Sequence, residues 1–233
     1  MIIWKLGLNP EGCQAAASHT GALTAPREIW KGVVGQSGAV PVVGFETWVD
    51  ALMGFALLPS HLGDRMAIIS GPGGLGVSAA EACGNSGLRL SELSIQTRST
   101  LATFVPPTGT SLRNPIDLGL SSALEIEMFS SALEIEIYVQ AARAAAADPG
   151  VDALVIVGRG LTPETNLLYT ESMIQVSKES PKPFIMVSIP EFDRSLAQRF
   201  CQAGIPFFET AERAMGTYAL VRKYQLWRQE RSV

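Results

Sequence analysis

The stretch AAASHTGALT, Ala15–Thr24, sets a histidine among very small side chains. His19 and His61 are the only histidines in 233 residues. A neutral imidazole is a good nucleophile toward phosphorus, and the phosphorylated ring is a good leaving group. Small neighbours leave His19 uncovered, so it can be phosphorylated and approached by different partners. Ser18, Thr20 and Gly21 read as the loop that supports it. The second stretch with chemical content is SGPGGLGVSAAEA, Ser70–Ala82. Its glycines turn the chain sharply and leave the first amides of a following helix bare. Gly71, Gly73, Gly74, Leu75 and Gly76 therefore form a candidate phosphate site, because orphan N–H groups and the helix dipole both favour an anion. Oriented amides also neutralise a phosphohistidine without supplying an acid or base that would hydrolyse it.

Other readings of the same residues stay open. Gly71, Gly73 and Gly76 satisfy G-x-G-x-x-G, and Glu92 falls near the end of the next strand-like run, where a ribose carboxylate belongs. That spacing fits a dinucleotide-binding or regulatory module. Tight strand-to-helix packing with no ligand is a third reading, and a non-catalytic fragment a fourth. No Lys-Ser/Thr follows the glycines, so a Walker loop is excluded. Ser18 and Ser70 lack the G-x-S-x-G elbow of an acyl nucleophile. His61, in LLPSHLGD, reads as a solvated linker histidine, and Glu125, Glu127, Glu134 and Glu136 read as a solvated helix face.

The elements that must position these groups alternate between strand and helix. MIIWKLG reads as a buried strand, followed by the histidine loop, a helix in APREIWKGVVGQSG, a strand in AVPVVG and a helix in ETWVDALMGFALL. This set is too small to close a core alone. Beyond the PSHLGD linker, RMAIIS, LRLSELS, ALVIVG, PFIMVS and IPFFE are strands separated by helices. Unbroken apolar strands alternating with helices predict an α/β protein with a flavodoxin-like, doubly wound parallel sheet over residues 63–233. Residues 1–62 read as the C-terminal part of a second such domain. RNPIDLG lies in a long turn, and SSALEIEMF is followed at once by the near-copy SSALEIEIY, nine residues that put a continuous helix half a turn out of phase.

Composition narrows the class. With 47% hydrophobic and 17% charged residues the chain folds, and its formal charge of −4 gives no basic face for nucleic acid. The three cysteines, Cys13, Cys83 and Cys201, are far apart and fit reduced thiols of a cytoplasmic protein. They do not make a zinc site with two histidines. No apolar run reaches the ~18 residues of a membrane span.

KLGLNPEGCQAAASHTGAL, RMAIISGPGGLGVSAAEACGNSGLRLSELS, RNPIDLG, DPGVDALVIV and KPFIMVSIPE together resemble the nucleoside-diphosphate-forming, including ADP-forming, acyl-CoA synthetases, relatives of succinyl-CoA synthetase. The resemblance implies that His19 is the transiently phosphorylated residue and that the Gly71–Gly76 turn cradles the phosphate. Asn114, Pro115, Asp117 and Leu118 match the family's N-P-x-D-L pattern, to which the sequence assigns no chemical role. The implied reaction is acyl-CoA + NDP + phosphate ⇌ carboxylic acid + CoA + NTP. It also implies CoA-binding and ATP-grasp domains as partners, with CoA, ATP or ADP, phosphate and Mg as ligands of the complete enzyme. Those domains fall outside these residues, so this chain reads as a middle-to-end part of the enzyme, inactive by itself.

Overall fold

A computed structural model describes residues 1–20, 26–119, 131–158, 162–188 and 194–231. The chain forms two compact units, residues 1–55 and 56–233.

In the first unit, β1 (Ile2–Trp4) and β2 (Val40–Val42) pair in parallel, Ile2 opposite Val40 and Trp4 opposite Val42. Three helices, α1 (Pro10–Thr20), α2 (Arg27–Ser37) and α3 (Phe45–Leu57), accompany them. Asn9 caps α1, its Oδ1 accepting from Gly12 N at 2.8 Å. Gly38 ends α2 in the left-handed conformation, φ 67°, which favours a residue without a Cβ. Two strands of three residues bury little. Helix α2 has no buried residue, and Ile29, Val33, Val43 and Phe45 are exposed.

The second unit is built on a parallel sheet. Its path is β4 (Arg89–Leu90), β3 (Arg65–Ser70), β6 (Ala153–Gly158), β7 (Phe184–Ser188) and β8 (Phe207–Phe208), and β5 (Ile116–Asp117) also pairs with β3. Every residue of β6 and β7 is buried, which is why these runs carry no polar alternation. One face is covered by α4 (Gly73–Asn85) and α9 (Ala211–Glu230). The other carries α5 (Ile95–Leu101), α6 (Ser131–Ala147), α7 (Pro163–Lys178) and α8 (Arg194–Gln202). The predicted flavodoxin-like fold is therefore the observed one. Its strand order reverses between β3 and β6, and such a crevice at the carboxyl ends is where doubly wound folds bind ligands. A classic dinucleotide half would place another strand beyond β4, and among the described residues none is there.

Two expectations change. RNPIDLG is not only a turn, since Ile116 and Asp117 form β5 opposite Ile69 and Ser70. Strands β4 and β5 thus share one edge of β3, and Asn114 bridges the gap between them. Its Oδ1 accepts from Ile68 N at 2.9 Å, and its Nδ2 donates to Met66 O at 2.6 Å and Ser91 O at 3.0 Å. A side-chain amide here supplies the ladder bonds that neither short strand reaches. The acidic residues of the duplicated stretch also divide. Glu136 is exposed and accepts from Gln140, whereas Glu134 is 6% exposed and faces the core, because α6 packs this turn against α7. Glu125 and Glu127, with the whole first copy, lie outside the described residues.

The opposite, amino-terminal edge of the sheet is closed by charge. Arg65 grips Asp152 with Nε at 3.0 Å and Nη2 at 2.6 Å, while Asp64 N and Arg65 N also donate to Asp152 Oδ2. The Arg65 hydrogen bond outweighs the cost of burial and holds the Asp152 carboxyl below its ordinary range. Asp64 is lowered in the same way, first by its hydrogen bond from Arg89. A carboxyl with a depressed folded pKa contributes stability above its unfolded pKa, and that stability is lost as pH falls through the folded value. The unfolding free energy measured in urea should therefore fall as pH drops below about 4, the unfolded aspartate range. Asp152→Asn should flatten that part of the pH profile, and an unchanged acid limb in the variant would contradict the assignment.

Candidate functional site

Each unit carries one of the two stretches singled out by chemistry. In the first, Ser18, His19 and Thr20 form the last turn of α1 rather than a loop. The alanines preceding them are strong helix formers and carry the helix to the histidine. The Ser18 hydroxyl turns back on its own helix, donating to Ala15 O at 2.9 Å and Gln14 O at 3.2 Å, so it does not hold the imidazole. Gly21 lies outside the described residues. His19 is exposed, and among the described residues no hydrogen bond to its imidazole is found. It borders a cavity of about 750 Å³ whose lining includes Lys5, Asn9, Ala15, Ala16 and Arg27. The alanines leave the space open, and the two cations supply positive charge to it.

In the second unit the glycine turn leads from β3 into α4, as its sequence predicts. Helices α5, α7 and α9 each begin with a hydroxyl cap: Ser94 accepts from Thr97 N, Thr162 from Thr165 N and Thr210 from Arg213 N. Helix α4 begins after Pro72, which has no side-chain cap to offer. Leu75 N and Gly76 N both donate to Pro72 O, at 3.1 and 3.3 Å. That leaves Gly73 N and Gly74 N as the unbonded donors of the first turn among the described residues. The space over Gly74 is open, with no atom within 4 Å of where a Cβ would stand. Gly71 and Gly76 serve packing instead. Both are buried, and a Cβ on Gly76 would stand 3.3 Å from Ser70 Cβ. Of the five residues proposed from sequence, Gly73 and Gly74 thus present free amides, while Leu75 donates internally.

Sequence reasoning did not anticipate Asp117. Its Oδ2 would collide with a Cβ on Gly73, so the carboxylate sits directly against the first residue of α4. Ile116–Asp117 pairs with the end of β3, which brings the N-P-x-D-L segment beside the glycine turn. Only the pairing of a two-residue strand reveals this, and periodicity does not detect strands that short.

The remaining candidates are structural. Ser70 is fully buried and its hydroxyl donates to Pro72 O at 2.7 Å, which secures the turn and leaves no nucleophile. His61 is exposed, with Gln229 Nε2 at 3.4 Å from Nδ1. Glu92 is exposed just beyond β4. Among the described residues no group of three or more His, Cys, Asp or Glu could hold a metal ion, and no helix is long and apolar enough to cross a membrane.

Residues 1–55 match the family of the succinyl-CoA ligase like flavodoxin domain. Over 96% of its length the chain is 30% identical to the alpha subunit of ADP-forming acetate–CoA ligase II of Pyrococcus furiosus, of which it covers 47%. It is 26% identical to the ADP-forming 4-hydroxybutyrate–CoA ligase of Nitrosopumilus maritimus, matching 97% of this chain and 31% of that protein. Among solved structures it resembles dinucleotide forming acetyl-coenzyme A synthetase 1 of Ca. Korarchaeum cryptofilum, in complex with phosphate and ADP. The TM-score is 0.75 at 25% identity, over 97% of this chain and 48% of that one. The chain thus spans about half, or less, of the length of these relatives.

Proposed function

As a relative of the ADP-forming acyl-CoA synthetases, this chain, we propose, carries the phosphoryl-relay part of such an enzyme: acyl-CoA + NDP + phosphate ⇌ carboxylic acid + CoA + NTP, through phospho-His19. The observation that carries the reading is the setting of His19, an exposed imidazole beside a cavity that Lys5 and Arg27 also line. In the relay, Nδ1 or Nε2 of the neutral ring forms a bond to phosphorus as the bond to an oxygen leaving group breaks. The nucleoside diphosphate then takes the phosphoryl group and returns the ring to its neutral form. Lys5 and Arg27 offset the charge on the phosphorylated ring, and the amides of Gly73 and Gly74 receive phosphate at a second station.

The CoA-binding and ATP-grasp parts are partners in this reading, and CoA, nucleotide and Mg bind to them. No residue of this chain is assigned to Mg. The exposed apolar residues of the first unit (Ile29, Val33, Val43 and Phe45) give it a surface to bury against such partners. The test is catalytic: mixed with the complementing subunit of a relative, the chain should support release of CoA from an acyl-CoA that depends on both ADP and phosphate. Release that proceeds equally without this chain would withdraw the proposal. The alternative of a dinucleotide module has less support, since the sheet has the flavodoxin order rather than the dinucleotide one.

A further inference from the structure

We infer that the last helix, α9, is a latch on the chain that joins the two units. One stripe of its polar side chains holds residues 59–64, and it can release them without loss of the fold.

The connecting segment has little of its own to hold it. Helix α3 ends at Leu57 and β3 begins at Arg65. Between them, residues 59–63 lie in no helix or strand and make no backbone-to-backbone hydrogen bond among the described residues. Their partners are side chains of α9 instead. Tyr218 Oη donates to Gly63 O at 3.0 Å, and Gln225 Nε2 donates to Pro59 O at 2.8 Å. Arg222 Nη2 lies 3.4 Å from Asp64 Oδ2, and Gln229 Nε2 lies 3.4 Å from His61 Nδ1. The positions 218, 222, 225 and 229 follow the i, i+4, i+7, i+11 spacing of a single helix face. Gly63 is the fixed end of the segment. A side chain there would collide with the Asp152 carboxylate, which also accepts from Asp64 N at 3.1 Å.

The same stripe is incompletely satisfied. Arg222 Nε and Gln225 Oε1 are buried without a hydrogen-bond partner. A hydrogen bond made on folding replaces one to water and gains little, whereas a buried polar atom left unpaired costs as much or more. Opening returns both atoms to water, which offsets much of what the bonds to Pro59 and Gly63 contribute. The closed state is thus favoured by a small margin. Tyr218 is 1% exposed and anchors α9 in the core, so it is the segment that leaves the helix and not the reverse. Released, residues 59–63 become free chain able to span up to about 17 Å. Held, Pro59 is tied down two residues after α3 ends, and the connection has almost no slack. The latch decides which of these joins the two units, whether or not His19 carries a phosphoryl group.

The test compares the full chain with Gln225→Ala and with the double variant that adds Tyr218→Phe, a change that removes only a hydroxyl from the core. Backbone order parameters of Ser60, His61, Leu62 and Gly63 are measured by NMR, beside those of β3 and β6. In the parent the segment should be as rigid as the strands, at about 0.85. In the double variant it should fall below about 0.6 while the strands keep their values. Thermolysin should cut on the amino side of Leu62 at least about tenfold faster in the double variant, because cleavage tracks the open population. Low order parameters in the parent, or equal values and cleavage rates in parent and variant, would show that α9 does not hold the segment. A matching fall in β3 and β6 would make the stripe part of the fold and overturn the latch as well.

Discussion

Asn114→Ala is expected to lower the thermal midpoint of unit 56–233 by about 4–24 °C. The amide of Asn114 holds Ile68 N on one side and Met66 O and Ser91 O on the other. Met66 O keeps a second partner in Ser91 N, at 2.9 Å. Ile68 N and Ser91 O lose the bonds Asn114 made to them, beside a strand whose core residues are fully buried. Each buried polar group left unpaired costs about 1–3 kcal/mol, so the loss of the two is roughly 2–6 kcal/mol. For a unit of this size, 1 kcal/mol moves the midpoint by about 2–4 °C. Asn114→Asp keeps an acceptor for Ile68 N but sets a carboxylate oxygen against Met66 O and Ser91 O, so it should destabilise at least as much as the alanine variant. A midpoint within about 1 °C of the parent for the alanine variant would mean that the bridge contributes nothing and that β4 and β5 are held by other contacts.

This residue also marks where sequence reading reached its limit. The strands of the central sheet were legible because β3, β6 and β7 are unbroken apolar runs, and only a strand buried on both faces reads that way. The glycine turn was legible because a strand, clustered glycines and a helix occur in order. Strand β5 was not. Two residues carry no period, and Pro115 beside them speaks for a turn. Its place was set by pairing with β3, and with it came both the bridging role of Asn114 and the contact of Asp117 with Gly73.

Glu134 escaped for a related reason. The alternation in SALEIEIY spaces both glutamates alike, yet packing of α6 against α7 buries Glu134 and leaves Glu136 in solvent. At His19 the small residues suggest a loop, and the structure has a helix there. The run Ala15–Ala17 has the highest helix propensity available, and it extends α1 through the histidine. The side chain's exposure was inferred from the same small neighbours, and the structure shows the residue exposed.

The second large effect concerns chemistry and leaves the fold intact. His19→Asn keeps a polar side chain of moderate size and removes the only nucleophilic ring in α1. Phosphoryl transfer in the reconstituted enzyme should be abolished, because no other described residue lining that cavity offers an imidazole. Stability should change by no more than about 0.5 kcal/mol, as at other exposed positions without partners. Loss of both fold and transfer in this variant would recast His19 as a structural residue. Retained transfer would place the phosphorylated group elsewhere.

The most direct measurement is to locate the phosphoryl group. The chain is incubated with the complementing nucleotide-binding subunit of a relative and γ-labelled ATP, then digested at alkaline pH, and the peptide that carries the label is sequenced by mass spectrometry. The account predicts one acid-labile, base-stable phosphoryl group, carried by His19 in the peptide spanning Pro10–Thr20 and absent from His19→Asn. Label that survives acid, or that persists in the His19→Asn protein, would contradict it.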